Sequence, residues 1–155
     1  GNGDARLVRV VAHADDGAVH GIAVSGAPLR IELDAEVSAR IPRVTLGIAI
    51  HALDGGLVAE LQHAYPVKPL GDDPQAQVRA VIDVALLPLL PGAYEMSAWV
   101  RDASGLADLD HHQALYPLQV KGERSAGCDG CVDLRARWSD AVDQTAAWAE
   151  ASRHA

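Results

Sequence analysis

The sequence has no phenylalanine, a single methionine and only two cysteines, and aromatic residues make up 4% of its 155 positions. Two thiols cannot supply the disulfide framework of a small secreted scaffold. No apolar run approaches the roughly 20 residues a membrane-spanning helix needs, so direct membrane insertion is not expected. An initiator methionine and a signal-peptide pattern are also missing, and the chain reads as an excised piece with neighbouring domains elsewhere. Basic residues are scarce too: 13 against 21 acidic, a formal charge of -8. Nucleic-acid binding needs basic patches to neutralise phosphate, so no nucleic-acid partner is expected. The acidic residues are scattered, as on a solvated surface. There is no G-x-S-x-G, no phosphate-binding glycine loop with its lysine and no H-E-x-x-H.

What is present is a 49% apolar chain, long enough to bury one core. Its organising stretch is 86–101, LLPLLPGAYEMSAWVR. Pro88 and Pro91 forbid a helix through the leucines, and Pro91-Gly92 is turn chemistry. Tyr94, Met96, Ala98 and Val100 then alternate with Glu95, Ser97, Trp99 and Arg101, which gives a strand with a core face and an outer face. The same alternation predicts strands over 6–14, 29–37, 44–52, 57–62, 77–84, 113–120 and 132–138. Residues 21–28 read as a break, and 63–75 as the longest loop, with three prolines and Gly71-Asp72-Asp73. Residues 108–112, DLDHH, read as a tight polar turn. The alanine-rich tail after Ser139 favours helix, with Ser139 as its N-cap. The expected architecture is all-β: an immunoglobulin-like or jelly-roll β-sandwich of about eight strands with a short C-terminal helix. Residues 1–5 are a leader, 6–138 the domain and 139–155 the tail.

Several groups could carry chemistry. Cys128 and Cys131 form a C-x-x-C, half of a tetrahedral zinc site, in a turn that also suits bystander thiols or a disulfide. Asp108, Asp110, His111 and His112 are the best metal-like cluster, although a solvated turn accounts for them. Asp72/Asp73 and Glu32/Asp34 are paired carboxylates without the apolar surround that glycoside hydrolysis requires. No metal, cofactor or catalytic activity is expected. Trp99 is the sharper signal. A tryptophan on the wet face of a sheet serves an interface, and an indole suits the C–H face of a sugar ring. A loop or the C-terminal tail covering it is the competing reading. The neighbouring strands are expected to be 44–52 and 113–120, where small residues at Gly47, Ala49 and Ser97 leave a shallow depression around the indole. The expected carbohydrate-binding residues are Trp99, Arg101, Glu95, Ser97, His51, Thr45, Gln113 and Gln119.

The ordered set SGAPLRIEL (25–33), IPRVTLGIAIHALDG (41–55), LLPLLPGAYEMSAWVRD (86–102), DLDHH (108–112) and GCVDLRARW (130–138) resembles the C-terminal domain of Wzt-type proteins. Those are ATP-binding subunits of ABC transporters that export O-antigen and related polysaccharides. The resemblance covers 6–138. It implies a β-sandwich that binds the exported glycan, often at a modified non-reducing end. It also implies a homodimer, in some cases with exchanged terminal strands, a membrane permease partner and a cytoplasmic place at the inner membrane. The ATPase domain would precede residue 1. The family's glycan contacts vary with the glycan, so the proposed residues rest on the strand argument. The rival classes are a structural module that only dimerises the transporter and a glycan-modifying enzyme built on 108–112.

Overall fold

The computed structural model describes residues 3–14, 19–124 and 126–139. They form eight strands: β1 (Ala5–Ala14), β2 (Ile22–Val24), β3 (Leu29–Ser38), β4 (Arg43–Ala52), β5 (Leu57–Pro66), β6 (Gln75–Val84), β7 (Gly92–Arg101) and β8 (Asp108–Lys121). One sheet has the order β1-β3-β6 and the other β2-β8-β7-β4-β5. Every pairing is antiparallel except that of β2 with β8.

The alternation in the sequence becomes the core between the sheets. Leu29, Ile31, Leu33, Ala35 and Val37 of β3 meet Val44, Leu46, Ile48 and Ile50 of β4 and Tyr94, Met96, Ala98 and Val100 of β7, all buried. With no phenylalanine available, this is an aliphatic core, and truncating one of its leucines to alanine would cost about 2–5 kcal/mol. Leu87 and Leu89 join the same cluster and Leu90 is buried beside it, whereas Leu86 is exposed. The proline-broken leucines thus act as a plug at one end of the sandwich. The chain crosses from β6 to β7 there, and the Leu87 amide donates to the Ala27 carbonyl at 2.9 Å.

Four expectations need correction. Residues 108–112 do not turn; they open β8, pairing with β7 through Asp108, Asp110, His111 and His112. Residues 63–66 extend β5 rather than starting a loop, and Pro66 is tolerated because β5 is an edge strand with β4 as its neighbour. Within the break predicted at 21–28 lies the short strand β2. Residues 132–138 form no strand; a single bridge, Leu89 to Val132, holds the segment, and Trp138 is 96% exposed. The helix predicted after Ser139 lies outside the described residues.

Candidate functional site

The two outer faces of the sandwich differ in kind. On the three-stranded sheet the charged outward-facing side chains pair with one another across the strands. Arg79 meets Asp34 in a bidentate contact of 2.6 and 3.1 Å, Arg9 meets Glu32 at 2.8 Å, Arg6 meets Glu36 at 2.7 Å and Arg30 meets Asp83 at 2.8 Å. The bond from Arg9 is the main cause holding the Glu32 carboxyl below its ordinary range. This face is a closed charge ladder.

The outer face of the five-stranded sheet is mixed. Register places Gln62, Gly47, Trp99 and His111 in one row across β5, β4, β7 and β8. The next row holds Ala64, Thr45, Arg101 and Asp108, and on the other side lie Glu60, Ala49 and Ser97. His51 and Glu95 follow, with Pro117 opposite Glu95. Six of the eight predicted residues (Trp99, Arg101, Glu95, Ser97, His51 and Thr45) therefore fall in these neighbouring rows. Gln119 is on the outer face too, but at its far end beside Gly92, whose carbonyl accepts from its amide at 3.3 Å. Gln113 is exposed where β8 bulges.

The expected exposed indole is not found. Trp99 is only 2% exposed, and Thr45 and Ser97 are buried beside it. Among the described residues, the close neighbours of the ring are Gly47, Arg101 and His111. Gly47 has no side chain, and the indole lies on its backbone, so that a Cβ there would collide with Cε2, Nε1 and Cζ2. The depression expected around Gly47 is thus filled by the indole itself. Arg101 closes it from above, with its guanidinium carbon 4.3 Å from the ring centroid, and His111 meets it edge-on at 5.9 Å. Both contacts suit the ring quadrupole. The Arg101 guanidinium also donates to Asp108 Oδ1 at 2.8 Å and to Gln62 Oε1 at 3.1 Å, with Glu60 4.0 Å away. The Arg101 bond is the main cause holding the Asp108 carboxyl below its ordinary range. Trp99 Nε1 is buried without a hydrogen-bond partner.

Ser97 organises the middle of the face. Its hydroxyl accepts from the Ala114 amide at 2.8 Å and lies 3.2 Å from His51 Nε2. Glu60, Gln62, Asp108 and His111 lie against Arg101 or Trp99 but were not among the expected carbohydrate-binding residues, the last two having been read as part of a metal-like cluster. The first two needed the β4–β5 register, which an irregularity near His51 obscures. The other two were hidden in the supposed turn.

That same stretch splits between faces. Asp108 and His111 pair on the outside at 3.3 Å. Asp110 and His112 face the seam between the sheets, where Asp110 Oδ2 accepts from the Leu7 amide at 2.8 Å and lies 3.3 Å from His112 Nε2. His112 Nδ1 is 2.6 Å from the Tyr116 hydroxyl. Among the described residues no group of three or more metal-ligating side chains is gathered. Cys128 and Cys131 are free, half-buried thiols.

Two facing sheets of mainly antiparallel strands around one aliphatic core define an all-β sandwich domain. The profile of the Wzt C-terminal domain matches residues 1–134, and the chain belongs to that family of ABC-transporter domains. The crystal structure of the C-terminal domain of Wzt superposes with a TM-score of 0.75 at 14% identity, over 90% of this chain and 86% of that one. A Pseudomonas fluorescens alkylpurine DNA glycosylase AlkC bound to abasic-site DNA overlaps at 12% identity, over 79% of this chain and 32% of that one. The CARDB domain of Pyrococcus furiosus PF1109 with di-metal ions overlaps at 12% identity, over 77% and 90%. Their TM-scores of 0.47 and 0.44 give no basis for argument. No curated protein matches the sequence.

Proposed function

We propose that this domain is a non-catalytic carbohydrate-binding module that recognises an exported O-antigen or related polysaccharide and couples it to an ABC transporter. Recognition of a modified non-reducing end fits a site of this small extent. The observation that carries the reading is the outer face of the five-stranded sheet. There an indole under a guanidinium is surrounded by imidazoles, carboxylates and an amide, whereas the charged side chains of the opposite face pair with one another around no indole among the described residues. Sugar recognition calls for an apolar ring surface bordered by donors and acceptors. Residues 6–138 would be the binding unit. A homodimer would add avidity to a shallow and individually weak contact, and the permease would be reached through the full-length protein at the cytoplasmic side of the inner membrane.

Titration of the cognate polysaccharide against the native chain, Trp99→Ala and Glu95→Ala tests this, with Arg6→Ala on the opposite face as control. The expected result is about tenfold weaker binding for the first two, equivalent to about 1.4 kcal/mol, and no change for the control. Because Trp99 is buried, Glu95→Ala keeps the test valid if Trp99→Ala does not fold. A second reading, a module that only dimerises the transporter, is favoured by β5 and β6, long edge strands of the two sheets. They flank a cavity of about 280 Å³ lined by Leu33, Leu46, Tyr65, Ala80 and Ile82. Absence of glycan binding with a retained dimer would select it.

A further inference from the structure

The burial of Trp99 has an unusual cause. Among the described residues, the Arg101 guanidinium lies over the ring face and His111 meets the ring edge-on. The indole reaches from β7 over Gly47 of β4, and the Arg101 guanidinium runs above it from Asp108 on β8 to Gln62 on β5. The guanidinium thus lies over the ring face, and Nε1, held over Gly47, is buried without a partner. A buried N–H without an acceptor is costly, and a ligand oxygen could meet it once the guanidinium moves. Arg101 is also a poor waiting cation for an acidic sugar. Its charge is already answered by Asp108 and approached by Glu60, and Glu95 adds a third carboxylate on the same face.

We infer that Arg101 is the movable cap of the Trp99 platform, and that the site admits an uncharged sugar ring which displaces the guanidinium from the indole. This rests on the reading of the face as a glycan surface. The carboxylates then accept sugar hydroxyls, and they repel uronate- or sialate-bearing chains.

The test uses the chain with Trp138→Phe and Trp148→Phe, which leaves Trp99 as the sole tryptophan of three. If that background does not fold, 5-fluorotryptophan labelling of the otherwise native chain resolves Trp99 as its own fluorine resonance, and its broadening by a soluble paramagnetic agent replaces the quenching. Acrylamide quenching is measured with and without Arg101→Ala, and both proteins are probed on an array of purified bacterial polysaccharides, neutral and acidic. The expected result is an indole that becomes severalfold more quenchable in Arg101→Ala. Neutral polysaccharide should then bind about three- to tenfold tighter, because a stacked, half-exposed ion pair no longer has to be displaced. Unchanged quenching overturns the cap, whatever the array shows. Weaker neutral binding by Arg101→Ala makes Arg101 a ligand contact and also overturns it. Preference for acidic chains overturns the charge selection. An opened indole with no polysaccharide retained by either protein overturns the glycan reading of the face, while Arg101 stands as the cap.

Discussion

At the scale of single residues, the decisive position is Gly47. Its smallness was legible in the sequence, as were Ala49 and Ser97, and it pointed to a depression beside Trp99. The depth and direction of the indole were not legible, because alternation assigns a side to each residue and says nothing about how a large ring lies down on it. Gly47→Ala tests the arrangement. A methyl group would collide with Cε2, Nε1 and Cζ2, which belong to a rigid ring over strand backbone. Overpacking of this kind costs about 1–3 kcal/mol. We expect a lower thermal midpoint together with red-shifted Trp99 emission, as the indole is lifted toward water. An alanine variant with native stability and native emission would show that the indole does not rest on Gly47.

At the scale of elements, β3, β4 and β7 were readable from period-two alternation because each sets a full run of aliphatic residues against the opposite sheet. The beginning of β8 was not. Asp108, Asp110, His111 and His112 are turn-forming and polar, and they are tolerated in a strand here because one pair meets Arg101 and Trp99 outside while the other lines the seam. The bulge that follows was equally hidden. Three residues, 113–115, lie opposite Ser97, and Ala114 adopts φ 51°, a left-handed conformation that L-residues avoid. The Ser97 hydroxyl takes the Ala114 amide that the ladder cannot. Two opposite effects on urea denaturation are expected. Ala114→Gly removes the strain and stabilises by about 0.5–1 kcal/mol, less than the full strain because glycine loosens the unfolded chain. Ser97→Ala strands a half-buried amide and costs about 1–3 kcal/mol. If both changes were neutral, the bulge would not depend on this bond.

At the scale of the whole molecule, the acidic excess appeared in the sequence as scattered solvating charge. In the fold, part of it is organised into ion pairs that make stability depend on pH. The carboxyls of Glu32 and Asp108 are held below their ordinary range chiefly by Arg9 and Arg101, and that of Asp102 chiefly by the Ser104 hydroxyl. A carboxyl with a depressed folded pKa stabilises fully above its unfolded pKa, and this is lost as pH falls through the folded value. The Tyr94 and Tyr116 hydroxyls are pushed up, mainly by burial. Their contribution is complete below the ordinary tyrosine pKa of about 10 and is lost as pH rises beyond it. The urea midpoint should therefore form a plateau between an acid limb below about pH 4 and an alkaline limb above about pH 10. The groups of the acid limb reach solvent, Asp108 more than Glu32, so concentrated salt should shrink it, and Asp108→Asn with Glu32→Gln should flatten it. Tyr116→Phe should leave the acid limb alone and reduce the alkaline one. An acid limb that survived both carboxamide substitutions and concentrated salt would place the titrating groups elsewhere, and the ladder on the three-stranded sheet would then be solvated charge after all.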